Sequence, residues 1–188
     1  MKQKVFTIRG TTPMLMHSER LANPFDPNTI ALKQLTSKRK KTEQDLLDMA
    51  KIEHAGGLYY DEQNGVHVPG YNVLATMING GKIRKMGTQV KRAVLVLEDK
   101  LPLKFEGPKT PDGLFADKRF VDIRSVKVGT SKVTRCRPIF NDWSLTFTLV
   151  YDESAIQEYD LVNALRDAGS MVGIGDYRPR FGRFELVQ

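Results

Sequence analysis

The sequence predicts an α+β fold, an antiparallel sheet with helices on one face. Two observations carry the prediction. KVFTIR near the start and WSLTFTLVYD in the last third alternate apolar and polar residues, the two-residue period of strands with one buried face. Helical patterns fall between the strands too irregularly, and the strands are too few, for a doubly wound parallel sheet.

Lys4–Arg9 forms the first strand, with Val5 offset from Phe6 and Ile8, and stops at Gly10 and Pro13. NPFDPN, residues 23–28, is a loop, because Pro24 and Pro27 fix φ while Asn and Asp side chains bond locally. Thr29 opens a short helical pattern through Ile30, Leu32 and Leu35. Thr42 and Asp45 make a capping box ahead of LLDMAKIEHA, giving a helix over 42–55 closed by Gly56-Gly57. GLYYDEQNGVHVP is a hairpin, with LYY and VHV flanking the turn. Pro69-Gly70 ends it, and NVLATMINGG follows as a helix that sets Val73, Leu74, Met77 and Ile78 on one side and closes at Gly80-Gly81. RAVLVLED is a strand apolar on both faces, which suits a central position. Residues 108–137 loosen into short runs such as RFVDIRSVKV, the mark of an extended hairpin or flap outside the core. WSLTFTLVYD is the clearest strand, SAIQEYDLVNALRDAG a helix directing Ile156, Leu161, Leu165 and Ala168 inward, and RFELV the last strand. This order suits a ferredoxin-like antiparallel sheet in one domain over 1–188, with 108–137 inserted as a basic β-hairpin flap.

With 188 residues, 40% of them hydrophobic, the chain can bury one core. The 29 Lys and Arg outnumber 22 Asp and Glu, for a net charge of +7 and a pI near 9.5, which favours an anionic partner. Cys136 is the single cysteine, which excludes an internal disulfide and any multi-cysteine zinc or iron–sulfur site; a reducing, cytoplasmic setting fits. No apolar run approaches the ~18 residues that span a bilayer, and MKQKVFTIRG lacks the apolar stretch of a signal peptide, so no membrane is expected.

Few residues qualify for catalysis. His17, His54 and His67 show no HxxxH or comparable spacing, so neither a metal nor a cofactor is expected. His67, between Val66 and Val68, reads as an exposed strand position, and His54 as a favourable cation near a helix C-terminus. His17 lies in a loop after a strand, where catalytic groups collect, and is a candidate general acid or base. Asp26 is a second candidate, as metal ligand or general base, against the simpler role of a turn residue. There is no GxSxG elbow, Cys136 has no helix-borne histidine beside it, and GTSK at 129–132 lacks the preceding glycine of a Walker loop.

Segregated charge is the stronger signal. Lys33 leads a first cluster with Lys38, Arg39, Lys40 and Lys41; Lys82, Arg84, Lys85, Lys91 and Arg92 make a second, and acids are nearly absent from both. The flap adds seven more between Lys118 and Arg137, among them Arg124, Lys127, Lys132 and Arg135. Solvated faces intersperse signs, so segregation favours a surface that tracks phosphates. Tyr59, Tyr60, Tyr71, Phe115, Phe120 and Phe140 lie beside or between the clusters, and aromatics among Lys and Arg are what single-stranded bases stack on; Tyr71 is the candidate for this role.

Three stretches, VFTIRGTTPMLMH, VHVPGYNVLATMINGGKIR and GIGDYRPRFGRFEL, resemble the first strand and turn, the strand–Pro-Gly–helix segment and the C-terminal glycine-rich loop of the RAMP superfamily. These are the RRM-like proteins that build CRISPR effector complexes and include their guide-RNA backbone subunits and repeat-processing nucleases. Pro179 interrupts the glycine-rich loop, a departure from the family pattern, and a free-standing phage or mobile-element relative fits the same residues. The resemblance implies an RRM-like sheet and non-enzymatic, largely sequence-independent binding of single-stranded nucleic acid, RNA ahead of DNA. It also implies a homo-oligomer that stacks along the strand, with the flap reaching a neighbouring copy. In the glycine-rich loop, Gly173, Gly175 and Gly182 can take positive φ and lack a Cβ, so loop amides could approach phosphates while Arg178, Arg180 and Arg183 neutralise them. A tight helix-to-strand connection, with Gly173 as helix C-cap, explains the same glycines. The family's nucleases imply an alternative, a metal-independent endoribonuclease using His17. A third reading is a basic interaction protein for an acidic partner.

Overall fold

The computed structural model describes residues 1–187, and the chain opens with β1 (Lys2–Gly10) and the short β2 (Met14–Leu15). A 3-10 turn over Glu19–Ala22 leads to α1 (Pro27–Thr36) and α2 (Glu43–Gly57). The hairpin of β3 (Tyr60–Asp61) and β4 (Gly65–Pro69) runs directly into α3 (Gly70–Ile83), followed by α4 (Gly87–Ala93), β5 (Val94–Val96) and β6 (Lys100–Pro102). After α5 (Pro111–Ala116) come the long hairpin of β7 (Val121–Val128) and β8 (Ser131–Phe140), then β9 (Ser144–Tyr151), α6 (Glu158–Asp167) and β10 (Phe184–Leu186). The architecture is α+β with antiparallel sheets.

The main sheet has the order β10-β1-β9-β5. Its pairings are all antiparallel, with Phe6 opposite Phe147 and Ile8 opposite both Leu145 and Leu186. The two-residue period sorts its side chains: Phe6, Ile8, Leu145, Phe147 and Leu149 are buried on one face, while Val5 and Leu95 are exposed on the other. Val73 and Met77 of α3 and Leu161 and Leu165 of α6 share the core with that buried face, and each such side chain contributes about 1.5–3 kcal/mol of hydrophobic stabilisation. Two smaller sheets, β2-β8-β7 and β3-β4-β6, flank the main one.

The capping box forms as expected: Asp45 N–H donates to Thr42 Oγ1 at 3.1 Å, and Thr42 N–H donates back to Asp45 Oδ2 at 2.9 Å. Elsewhere the structure corrects the sequence reading. RAVLVLED is not a central strand: β5 is an edge, three residues long, and Arg92 and Ala93 belong to α4. Nor do Gly80 and Gly81 close α3, which runs on to Ile83. A Cβ on Gly80 would lie 2.3 Å from Ala164 O of α6, so this glycine lets two helices touch rather than ending one. His67 is buried, with Nδ1 3.0 Å from Gly65 O. His54 is not a solvated cation at a helix end: it is fully buried, its Nε2 lies 3.0 Å from Phe120 O, and burial lowers its pKa, leaving the ring neutral. Residues 108–137 are not wholly outside the core: Leu114, Phe120, Cys136 and Arg137 are buried at the hairpin base, while the β7–β8 tip stands clear of it.

Candidate functional site

The central element of the site is α3. Gly70 N–H donates to Asp99 O at 2.9 Å, and a Cβ there would fall 2.2 Å from Glu98 O, so the helix starts where the chain packs too tightly for any other residue. Val73, Met77 and Gly80 turn inward. Tyr71, Ala75, Asn79 and Lys82, spaced by four, four and three, form the outward stripe.

Against this stripe lies the glycine-rich loop. Beyond α6 the chain makes a π-helical turn over Ala168–Val172, closed by Gly173 N–H donating to Ala168 O at 2.8 Å. The loop then folds back on itself and on β2. Ile174 N–H donates to Gly182 O, Asp176 N–H to Leu15 O and Gly182 N–H to Pro13 O, each at 2.8 Å. Gly173, Gly175 and Gly182 all have positive φ, and a Cβ on Gly182 would sit 1.7 Å from Ile174 O. These glycines are therefore required by the loop's own packing. The amides of residues 173, 174, 176, 177, 181, 182 and 183 are already donated within the chain, so the expectation that glycine-loop amides as a group cradle phosphates is corrected. The loop's arginines are a different matter: Arg178, Arg180 and Arg183 are exposed and have no carboxylate partner among the described residues.

Two side chains from the hairpin hold the loop. Buried Arg137 donates through Nη1 to Asp176 Oδ2 at 2.6 Å, and the Arg124 guanidinium stands 4.7 Å from the centre of the Phe181 ring. Arg137 Nε and Nη2 have no hydrogen-bond partner among the described residues.

Along α3 runs a furrow of four depressions whose linings share residues, and the glycine-rich loop walls the middle two. At the α3 C-terminal end one of about 480 Å³ is lined by Asn79, Lys82, Lys85 and Lys91. Asn79 also borders the next, with Met171, Tyr177 and Arg178. Arg178 then borders a smaller recess of about 140 Å³ that holds His17, Tyr59, Asn72, Thr76 and Asp176. Tyr59 in turn walls a cleft at the α3 N-terminus with Glu19, Tyr71 and Lys100. There Tyr59 OH donates to Glu19 Oε2 at 2.9 Å and Tyr71 OH to Glu19 Oε1. Burial works against ionisation of Glu19, but the Tyr71 and Tyr59 hydroxyls hold its pKa below the usual carboxylate value.

Of the residues singled out in the sequence, His17, Tyr71, Lys82, Lys85, Gly175 and Arg178 line this furrow. Others are committed to structure. Lys38 donates to Asp45 at 2.6 Å, the main cause of that carboxyl's fall to about 2, and Lys41 donates to Lys38 O at 2.9 Å. Arg84 pairs with Asp167 of α6, Arg124 with Asp122, and Arg135 with Glu53 at 2.8 Å. Arg39 and Lys40 are exposed on the α1–α2 connection and line none of these depressions, and Lys127 and Lys132 face each other near the hairpin tip. Asp26 accepts from Asn28 N–H and Arg20 Nε, both at 2.9 Å, as the N-cap of α1, and its oxygens are taken up there. Phe120 and Phe140 belong to the core, and the buried Cys136 thiol is pushed up to about 12, by burial first and by Glu53 and Asp122 after it. Among the described residues, no group of three or more His, Cys, Asp or Glu is placed to hold a metal ion, and no helix is long and apolar enough to cross a membrane.

Sequence reasoning missed Glu19, Asn72, Asn79 and Asp176 as site residues, while Lys91, named in the second basic cluster, does line the furrow. A signal existed for two of them: Asn72 and Asn79 are seven apart on the polar side of a helix whose apolar side was evident. Glu19 and Asp176 gave none, since their partners lie 39 to 52 residues away. No protein-family model matches this chain, and no curated protein matches it in sequence.

Proposed function

We propose that this chain is a non-enzymatic binder of single-stranded nucleic acid, RNA in preference to DNA, that coats the strand as one of many copies. The observation that carries this reading is the furrow, in which Lys82, Lys85, Lys91 and Arg178 meet no carboxylate among the described residues. Side chains that reach phosphates without first breaking an internal ion pair give affinity at little cost. The three stretches that carry the RAMP resemblance supply His17, the face of α3 and the glycine-rich loop, and residues from all three line one recess, which favours the reading. The order β10-β1-β9-β5, with α3 between β1 and β5 in the chain and α6 between β9 and β10, supports a ferredoxin-like sheet. The hairpin tip with Lys127 and Lys132 is suited to reach along the strand or to a neighbouring copy.

Fluorescence anisotropy with labelled single strands tests the reading. Four phosphate contacts make affinity fall roughly 50-fold between about 50 and 200 mM salt, from a slope of about −0.7 per contact. No binding at the lower salt rejects it.

One observation favours a second reading, a metal-independent endoribonuclease. His17 lines its recess together with Tyr59, Asp176 and Arg178, which sets an acid–base side chain in one recess with a cation suited to stabilise transition-state charge. Site-specific RNA cleavage in EDTA, lost in His17→Ala, would establish it over simple binding.

A further inference from the structure

The two ends of the furrow differ in charge. Lysines line the α3 C-terminal end, whereas the cleft at the N-terminal end, about 580 Å³, is bordered by Glu19, Asp61 and Asp99. Its cations are already engaged: Arg20 with Asp26 and Lys100 with Asp61, each at 2.9 Å. A phosphate is repelled from such a site. Its size is nonetheless that of a small-ligand pocket, which run from about 300 to 1,000 Å³.

The cleft has an aromatic wall set in advance. Tyr59 and Tyr71 both donate their hydroxyls to the one carboxylate of Glu19, which fixes two rings before anything binds. Tyr71, at the first turn of α3, is 54% exposed, so its ring is open to stacking. Glu19 is an acceptor only, with about four lone-pair sites, of which the tyrosines use two. The ligand that fits is a flat ring whose edge offers donors to the remaining sites.

We propose that the Tyr59–Glu19–Tyr71 cleft takes one unstacked guanine from the strand in the furrow, stacked on Tyr71 with its N1–H and 2-amino group donated to Glu19. This rests on the nucleic-acid reading above and adds a preference to it. Guanine alone among the RNA bases sets two donors side by side on its Watson–Crick edge. Adenine and cytosine place an acceptor nitrogen beside their one amino group, and uracil places N3–H between two carbonyls. Those acceptors would face the carboxylate and be repelled.

The test uses the full chain and labelled oligouridylate carrying a single central guanosine, inosine or adenosine, followed by anisotropy. One guanosine is expected to tighten binding about tenfold over plain oligouridylate, the discrimination a good two-bond contact to a base supplies. Inosine, which keeps N1–H and lacks the 2-amino group, should lose most of that gain, and adenosine all of it. Glu19→Gln should collapse the guanosine-to-uridine ratio towards one, while Tyr71→Phe, which keeps the ring, should retain more of it than Tyr71→Ala. Equal affinity of the wild type for all four strands overturns the guanine pocket and leaves strand binding intact. Failure to bind any strand at low salt rejects both. The inosine comparison needs no variant, so it decides the matter even should Glu19→Gln fail to fold.

Discussion

Arg178, Arg180 and Arg183 of the glycine-rich loop are exposed and meet no carboxylate among the described residues, whereas Arg124 and Arg135 of the adjoining hairpin each meet one and Arg137 meets two. In the sequence the two segments are equally basic. The difference lies in what packs beside them. The hairpin base crosses α2 and the loop, which bring Glu53 and Asp176, and its own β7 supplies Asp122, while the loop's outer edge faces solvent. Paired and unpaired arginines also divide the labour, since the hairpin's bonds and ring contacts hold in place the loop that presents the free charges. Availability for a ligand is thus a property of the neighbourhood, and a count of cations overstates it.

The largest effect that would break this arrangement is Gly182→Ala. A Cβ 1.7 Å from a backbone oxygen, at φ 74°, should cost about 4 kcal/mol in urea unfolding and free the loop. Gly129→Ala in the hairpin turn also has positive φ but open space, and should cost only about 1 kcal/mol. Next comes the link between the regions. Asp176→Ala leaves buried Arg137 with only Asp122, 3.9 Å away, and should cost roughly 3 kcal/mol, more than Arg137→Met, which removes the buried charge along with its unpartnered donors. The reverse order would mean that the ion pair does not hold the loop.

Binding sharpens the contrast further. Arg178→Ala should lower the slope of log affinity against log salt by about 0.7, and Arg135→Ala should leave it unchanged, because that guanidinium is spent on Glu53. Equal effects would erase the distinction between the two regions. The smallest effect concerns the hairpin base. His54 sits between Phe120 O and the Phe115 ring, and its folded pKa lies below the ordinary 6.5. Between those two pKa values the unfolded chain binds a proton that the folded chain does not, so stability rises with pH through the window and is lost as pH falls through it. Thermal melts across that range should show this slope, and His54→Gln should flatten it.

Local signals in the sequence told true where the partners are local. The Thr42–Asp45 capping box and the DEQNG turn, with Gly65 at positive φ, need only a few neighbouring residues and were legible. Gly80-Gly81 misled because a glycine pair can end a helix or let another helix approach, and only Ala164, over eighty residues on, decides which. β5 misled because its aliphatic run resembles a central strand, whereas Leu95 and Leu97 are about half exposed at an edge. In the site, Lys82, Lys85, Tyr71 and Arg178 stood out by type and clustering. Whether each was free or already paired depended on contacts up to 83 residues apart, such as Arg84 with Asp167. No composition window contains that information.

The main sheet ends in two very short margins, β5 and β10, each three residues long. A longer unpaired margin is a template on which another chain can lay its own backbone, and the hazard grows with crowding. On the proposed function, copies threaded on one strand would be crowded by design, their local concentration set by nucleotide spacing rather than by the solution. Brief margins would then let such neighbours lie flank to flank without fusing, so that the array could be taken apart again when the strand is released.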